Sequence, residues 1–394
     1  MIRMGLVCAT LVGCGPSPMG PANPAPSSVE AATTDAQAVE SSWAPQPAES
    51  LTAKESTWIS HCGKPDRPLF AVARELAKER AAGGAMPDTE TIAHRVRVAG
   101  GPYVWPAAVA LSGTATENDV VERLKALRAQ VEKDGEARCG FGLVEKPPAH
   151  GFAASQFLVA IAVANVGTFE KLPLRVKPGQ ALTAKAHFPS GLRSASAYLL
   201  GPSGSPVSVQ STLSAKKDAL TVRFTPDTDG EYLLQMLGDV GNGPRPLFEA
   251  LVVSGKGNPV SKKTAAQVAA TEDETGVLAR INALRAQYKK KPLVLDPALT
   301  KVAVAHAADM TAAKKLAHDV GKGSPDDRVK RAGIILRMVG ENVSYAKGVI
   351  AAHEGIERSP SHRANVLRAE FTKVGIGFVT EADGMVYLAE VFGG

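Results

Sequence analysis

Two stretches too poor in large apolar side chains to bury themselves divide the 394-residue chain. Residues 14–53 are rich in Pro, Ala, Ser and Thr, and residues 256–274 are polar. Neither can offset its own chain entropy by burial, so both read as linkers. The folded units expected around them are 54–165, 168–255 and 275–394, in keeping with ~100–200 residues per domain. A chain that is 44% apolar and 21% charged is not wholly disordered or fibrous. At 5% aromatics, its cores must rest on Ala, Val and Leu.

The amino terminus speaks to compartment. Arg3 precedes a short apolar run ending in Leu11-Val12-Gly13-Cys14. A basic start, an apolar segment and small residues describe a secretory signal, residues 1–13. The ending resembles a bacterial lipobox, in which Cys14 is acylated. The expectation is a lipid-anchored protein of the bacterial cell envelope, with a soluble secreted form as the alternative. The run is about ten residues, far short of the ~20 that span a bilayer.

Cys62 and Cys139 are then the two cysteines left for the folded part. In an oxidising compartment two thiols are more often paired than free, so a disulfide is expected, with separate buried thiols as the alternative. The net charge of +6 lies wholly beyond residue 255, where 21 basic residues face 15 acidic ones. That surplus is mild, and no nucleic-acid partner is expected.

Periodicity assigns the fold class, α/β multidomain. Residues 54–165 carry a helical face at Leu69, Val72 and Leu76. A second helix follows the capping-box pattern Thr116-Glu117-Asn118-Asp119, and strands run at 140–144 and 157–163. Residues 168–255 alternate apolar and polar in short runs separated by turns, as in an antiparallel β-sandwich. Gly230-Glu231-Tyr232 resembles the tyrosine corner of such sandwiches, and the unit reads as a spacer or a binding module. Residues 275–394 read as four helices followed by two strands.

Metalloprotease, phosphate-loop, nucleophile-elbow and dinucleotide motifs are absent. What remains is scattered: His306, His318, Glu341, His353 and His362. His306 shares a helical face with Val302 and Met310 and reads as a core residue. His353 reads as surface.

From about Thr275 onward the order of short motifs is informative. These are Ile281-Asn282-Ala283-Leu284-Arg285, Ala305-His306-Ala307-Ala308-Asp309-Met310, Leu316-Ala317-His318, Asp327-Arg328-Val329 and Gly340-Glu341-Asn342-Val343. Ser359-Pro360-Ser361-His362-Arg363-Ala364-Asn365 and Val374-Gly375-Ile376-Gly377 complete the series. The segment resembles the CAP superfamily (cysteine-rich secretory, antigen 5 and pathogenesis-related-1 proteins) in its compact bacterial form. The resemblance implies an α-β-α sandwich with a cleft lined by two histidines and two acidic residues. His318, Glu341 and His362 match three of them; the second carboxylate would fall near Ser359, and Ser361 replaces the usual glycine. Two imidazoles and a carboxylate could hold a divalent cation such as zinc, through His318 and His362, or form an acid–base pair. The function expected is non-enzymatic binding of an extracellular lipid, glycan or protein. The alternative is a metal-dependent hydrolase using the same cleft.

The first unit echoes the last. Arg95-Val96-Arg97-Val98-Ala99-Gly100 parallels Arg328-Val329-Lys330-Arg331-Ala332-Gly333, and Gly140-Phe141-Gly142 parallels Gly375-Ile376-Gly377. A degenerate CAP-like copy is expected in residues 54–165, with an unrelated α/β domain as the alternative. Counting offsets sets Ala108 opposite Glu341, Leu127 opposite His362 and Ala85 opposite His318, which leaves no polar site.

Overall fold

The computed structural model describes residues 40–41, 51, 53–147, 155–256 and 271–394. The signal, Cys14 and most of both linkers lie outside the described residues. A two-residue strand, β1 (Glu40–Ser41), pairs with residues 172–173. The first domain then runs α1 (Ala53–Cys62), β2 (Lys64–Pro65), α2 (Arg67–Ala81), α3 (Thr89–Val98) and β3 (Ala107–Gly113). It closes with α4 (Glu117–Glu132), β4 (Glu136–Lys146) and β5 (Ser155–Asn165). Periodicity alone marks α2, α4, β4 and β5; α1, α3, β2 and β3 are additions.

The middle domain is two packed sheets. Its strands are β6 (Thr168–Phe169), β7 (Leu172–Pro173), β8 (Arg175–Val176), β9 (Leu182–His187) and β10 (Ala195–Leu200). They continue as β11 (Pro206–Ser208), β12 (Gln210–Leu213), β13 (Ala219–Phe224), β14 (Gly230–Asp239) and β15 (Pro244–Ser254). One sheet has the order β11-β10-β14-β15-β8 and the other β12-β13-β9-β6. Leu234, Met236, Phe248 and Ala250 alternate into the shared core. The Tyr232 hydroxyl accepts from the Thr228 N–H at 3.0 Å, closing the tyrosine corner that the sequence suggests.

The last domain runs α5 (Glu274–Gln287), β16 (Val294–Leu295), α6 (Pro297–Ala313), α7 (Pro325–Arg331) and β17 (Val339–Lys347). It ends with α8 (Val349–Arg358), α9 (Pro360–Leu367), β18 (Lys373–Thr380) and β19 (Met385–Gly393). This corrects the expected four helices and two strands. Strand β17 escapes notice because Gly340, Glu341 and Asn342 disfavour a strand locally, and only pairing with β19 holds them extended. Helix α8 escapes because His353 and Glu357 interrupt its apolar stripe.

The first and last domains have one topology. Their sheets have the orders β2-β4-β5-β3 and β16-β18-β19-β17, each with a single parallel pair at the start. Asp66 and Asp296 each cap the following helix while donating their own N–H to the neighbouring strand, at Cys139 and Val374. Helices α3 and α7 end alike, in glycines with positive φ at 100 and 333 whose N–H groups bond back to Arg97 and Lys330. Gly140 and Gly142 press against α2 as Gly375 and Gly377 press against α6. A methyl group at Gly140 would collide with the Leu69–Phe70 backbone, and one at Gly375 with Leu299–Thr300. Gly140→Val or Gly375→Val should therefore cost its domain about 1–3 kcal/mol or more, read by denaturant melting. Unchanged melting would mean that the helix can retreat.

In both copies helices cover both faces of the sheet. In the last domain α5, α8 and α9 pack on Val386, Leu388 and Phe392, while α6 and α7 pack on Tyr387, Ala389 and Val391. The first domain also joins Cys62, the last residue of α1, to Cys139 in β4 by a disulfide, with Cα atoms 5.8 Å apart. Among the described residues no helix is long and apolar enough to cross a membrane.

Candidate functional site

Register brings Glu341 against His318. Glu341 lies on the edge strand β17, opposite Val391, and its side chain turns toward the α6–α7 side. Its carboxylate is 1% exposed. His318 Nδ1 lies 2.9 Å from Oε1, and the Arg328 guanidinium donates to Oε2 at 2.5 Å. Burial pushes the Glu341 carboxyl up, but the His318 hydrogen bond and the Arg328 guanidinium beside it outweigh it. The group stays ionised, below its ordinary range.

Arg328 does more than neutralise. It also donates to the carbonyls of His318 and Gly323, so one buried guanidinium ties the His318 loop to β17. His306 is buried as expected; its Nε2 lies 3.1 Å from the Ala317 carbonyl and 3.6 Å from Glu341 Oε1. Burial pushes His306 down, toward the neutral form.

His362 sits in the first turn of α9 and is half-buried. Burial, and then the neighbouring His318, disfavour its charged form. Asn342 donates to the His362 carbonyl and to Glu390, while Asn365 donates to Asn342 and to the Glu341 carbonyl. The three residues singled out by motif thus belong to one linked set of segments.

Two departures matter. His353, expected at the surface, is fully buried on the other face of the sheet, and its exposure is 0%. Its Nδ1 lies 2.6 Å from Glu390 Oε1 and its Nε2 3.1 Å from Glu357 Oε1, with Arg280 completing the cluster through Glu357. The available signal was spacing: His353 and Glu357 lie one turn apart, on the face defined by Val349, Ala352 and Ile356. The second departure is at Ser359, where a second carboxylate would stand. It is buried against Gln235 of the middle domain.

The donor set fits a divalent ion poorly as arranged. Both Glu341 oxygens are engaged, one of them by a guanidinium. Among the described residues no group of three or more His, Cys, Asp or Glu is placed to hold a metal.

A four-stranded sheet between two helical layers, with His318, Glu341 and His362 gathered at one edge, defines a CAP-type domain. Residues 278–392 match the CAP family, described as the Cysteine-rich secretory protein family, and form a CAP domain. The chain is 35% identical over 120 residues to the uncharacterized protein YkwD of Bacillus subtilis (strain 168), covering 29% of this chain and 46% of that protein. It is 31% identical over 110 residues to the uncharacterized membrane protein YlbC of the same strain, covering 27% and 32%. The chain therefore spans less than half the length of these curated relatives. Among solved structures it is similar to an extracellular protein containing a SCP domain from Bacillus anthracis str. Ames. That likeness is 17% identical with TM-score 0.28, over 59% of this chain and 80% of that one.

The register also settles what the first domain carries at equivalent places. Gly140 pairs with Ile161, which pairs with Ala108, just as Gly375 pairs with Val391, which pairs with Glu341. By the same ladder Val109 stands for Asn342 and Ala160 for Glu390. The polar cluster of one copy is apolar in the other.

Proposed function

We propose that the protein is an extracytoplasmic lipoprotein whose CAP domain binds an extracellular ligand without turning it over. The observation that carries this reading is the state of Glu341. Its carboxylate is 1% exposed and is ion-paired with Arg328 on one oxygen and bonded to His318 on the other, so it is shielded from a substrate and its charge is already compensated. Ser359 supplies no second carboxylate. A metal-dependent hydrolase would need this buried, charge-compensated carboxylate to reach a substrate or a metal-bound water, so the arrangement supports it less. The Cys62–Cys139 disulfide supports an oxidising compartment.

Cys14→Ser protein, which lacks the proposed anchor, should be incubated with lipid vesicles, insoluble cell-wall glycan and ester and peptide substrates, with zinc or with chelator. Saturable binding to vesicles or glycan that is indifferent to chelator is expected. Turnover lost on chelation would overturn the reading. Anchoring is tested separately: Cys14→Ser should move the protein from the membrane fraction to the soluble fraction. Unchanged detergent partitioning would refute the anchor.

A further inference from the structure

The β-sandwich touches both segments that carry the cleft histidines. The turn between β14 and β15 lies on the His318 loop, where the Asp319 N–H donates to the Asn242 carbonyl at 3.2 Å. The next residue, Gly243, has φ +93°, and a Cβ there would come within 2.7 Å of the His318 Cβ. The turn is seated directly on the imidazole-bearing residue, and only a glycine lets it sit so close.

Helix α9, which carries His362, is capped from outside its own domain. Ser359 is its N-cap residue, yet its side chain makes no cap hydrogen bond. Instead Gln235 Oε1 of β14 accepts from the Ser361 N–H at 3.0 Å, and Gln235 Nε2 donates to the Ser359 hydroxyl at 3.1 Å. Helix N-termini leave donors unsatisfied, and a carboxamide oxygen serves as well as a local side chain. Gln235 is 0% exposed, so its geometry is held on every side. Its amide also donates to Glu249 at 2.7 Å, and Glu249 accepts from Arg97 of the first domain at 2.9 Å. One buried chain, Arg97–Glu249–Gln235–Ser361, joins all three domains.

We propose that the sandwich is a wall of the CAP cleft rather than a spacer, with Gln235 and the turn at 241–243 positioning and covering His362 and His318. The cleft is then a two-domain site, and its opening depends on the seating of the sandwich. The proposal holds whether or not the cleft binds as suggested above, because its test reads the histidines and not a ligand.

The test uses full-length protein with Gln235→Leu and, separately, Gly243→Asp. Diethylpyrocarbonate labelling of each histidine is followed by mass spectrometry. His187, whose side chain is 51% exposed, and buried His353 serve as references. In Gln235→Leu, His362 should label at least about fivefold faster, and in Gly243→Asp His318 should do so, with both references unchanged. Purely structural contacts would lower the melting temperature while leaving the labelling pattern as in the parent, and that result overturns the proposal. If neither variant folds, hydrogen exchange of the parent decides. The Asp319 and Ser361 amides should exchange together, in one opening with the β14 turn; unprotected or independent exchange refutes it.

Discussion

His353→Leu should destabilise the last domain by about 3–5 kcal/mol, because it leaves two buried carboxylates without their shared cation. Glu390 is 0% exposed and Glu357 is 7% exposed. Burial alone would push His353 down, but Glu390 and Glu357 outweigh it and hold the imidazole at about 9. At neutral pH it is an imidazolium between two carboxylates. A group raised in the folded state contributes fully below its unfolded value near ~6.5 and loses that contribution as pH rises through about 9. The parent should therefore weaken between these limits.

The first domain suggests the rescue. It has Ala160 at the place of Glu390 and Val109 at that of Asn342. Replacing His353 and Glu390 together with apolar residues, with Glu357 left on Arg280, should recover much of the loss, since removing both partners costs far less than removing one. All three tryptophans, Trp43, Trp58 and Trp105, precede this domain in the chain. Its melting is accordingly read by far-ultraviolet circular dichroism or hydrogen exchange. A single substitution that leaves melting and its pH dependence unchanged would show that the cluster is not charged.

Removing the disulfide should be as costly to the first domain. Cys62 and Cys139 are 77 residues apart, and closing a loop of that size restricts the unfolded chain by about 4 kcal/mol. Both sulfurs are fully buried, so the variant Cys62→Ala/Cys139→Ala is cleaner than reduction. Trp58 reports the result, since it packs 6.0 Å from Phe141, two residues beyond Cys139. Its emission should shift at a much lower denaturant concentration in the variant, while the sandwich and the last domain keep their exchange protection. Labelling of both thiols in native, unreduced parent protein would contradict the bond itself.

Much was legible because it is local. The sandwich follows from alternation at Leu182, Ala184 and Ala186, which the structure places inward. The glycine pairs at 140/142 and 375/377 mark strands that touch a helix backbone, a contact no larger residue permits. Ordered short motifs singled out His318, Glu341 and His362, of which His318 and Glu341 are bonded to each other. What the sequence did not reveal depends on pairing across the chain. Strand β17 is extended because β19 lies beside it, not because Gly340-Glu341-Asn342 favours a strand. His353 looks like a surface histidine until Glu390, 37 residues away, is brought against it. Ser359 looks like a lost carboxylate until Gln235, 124 residues earlier, fills the space and caps α9. Periodicity and composition act over a few residues, so the sequence alone determined the strongly periodic elements and the family of the last segment. A buried charge or an orphaned helix end acquires its partner only when distant segments pack. The partners of Glu341, His353 and Ser359 were therefore decided by the tertiary structure.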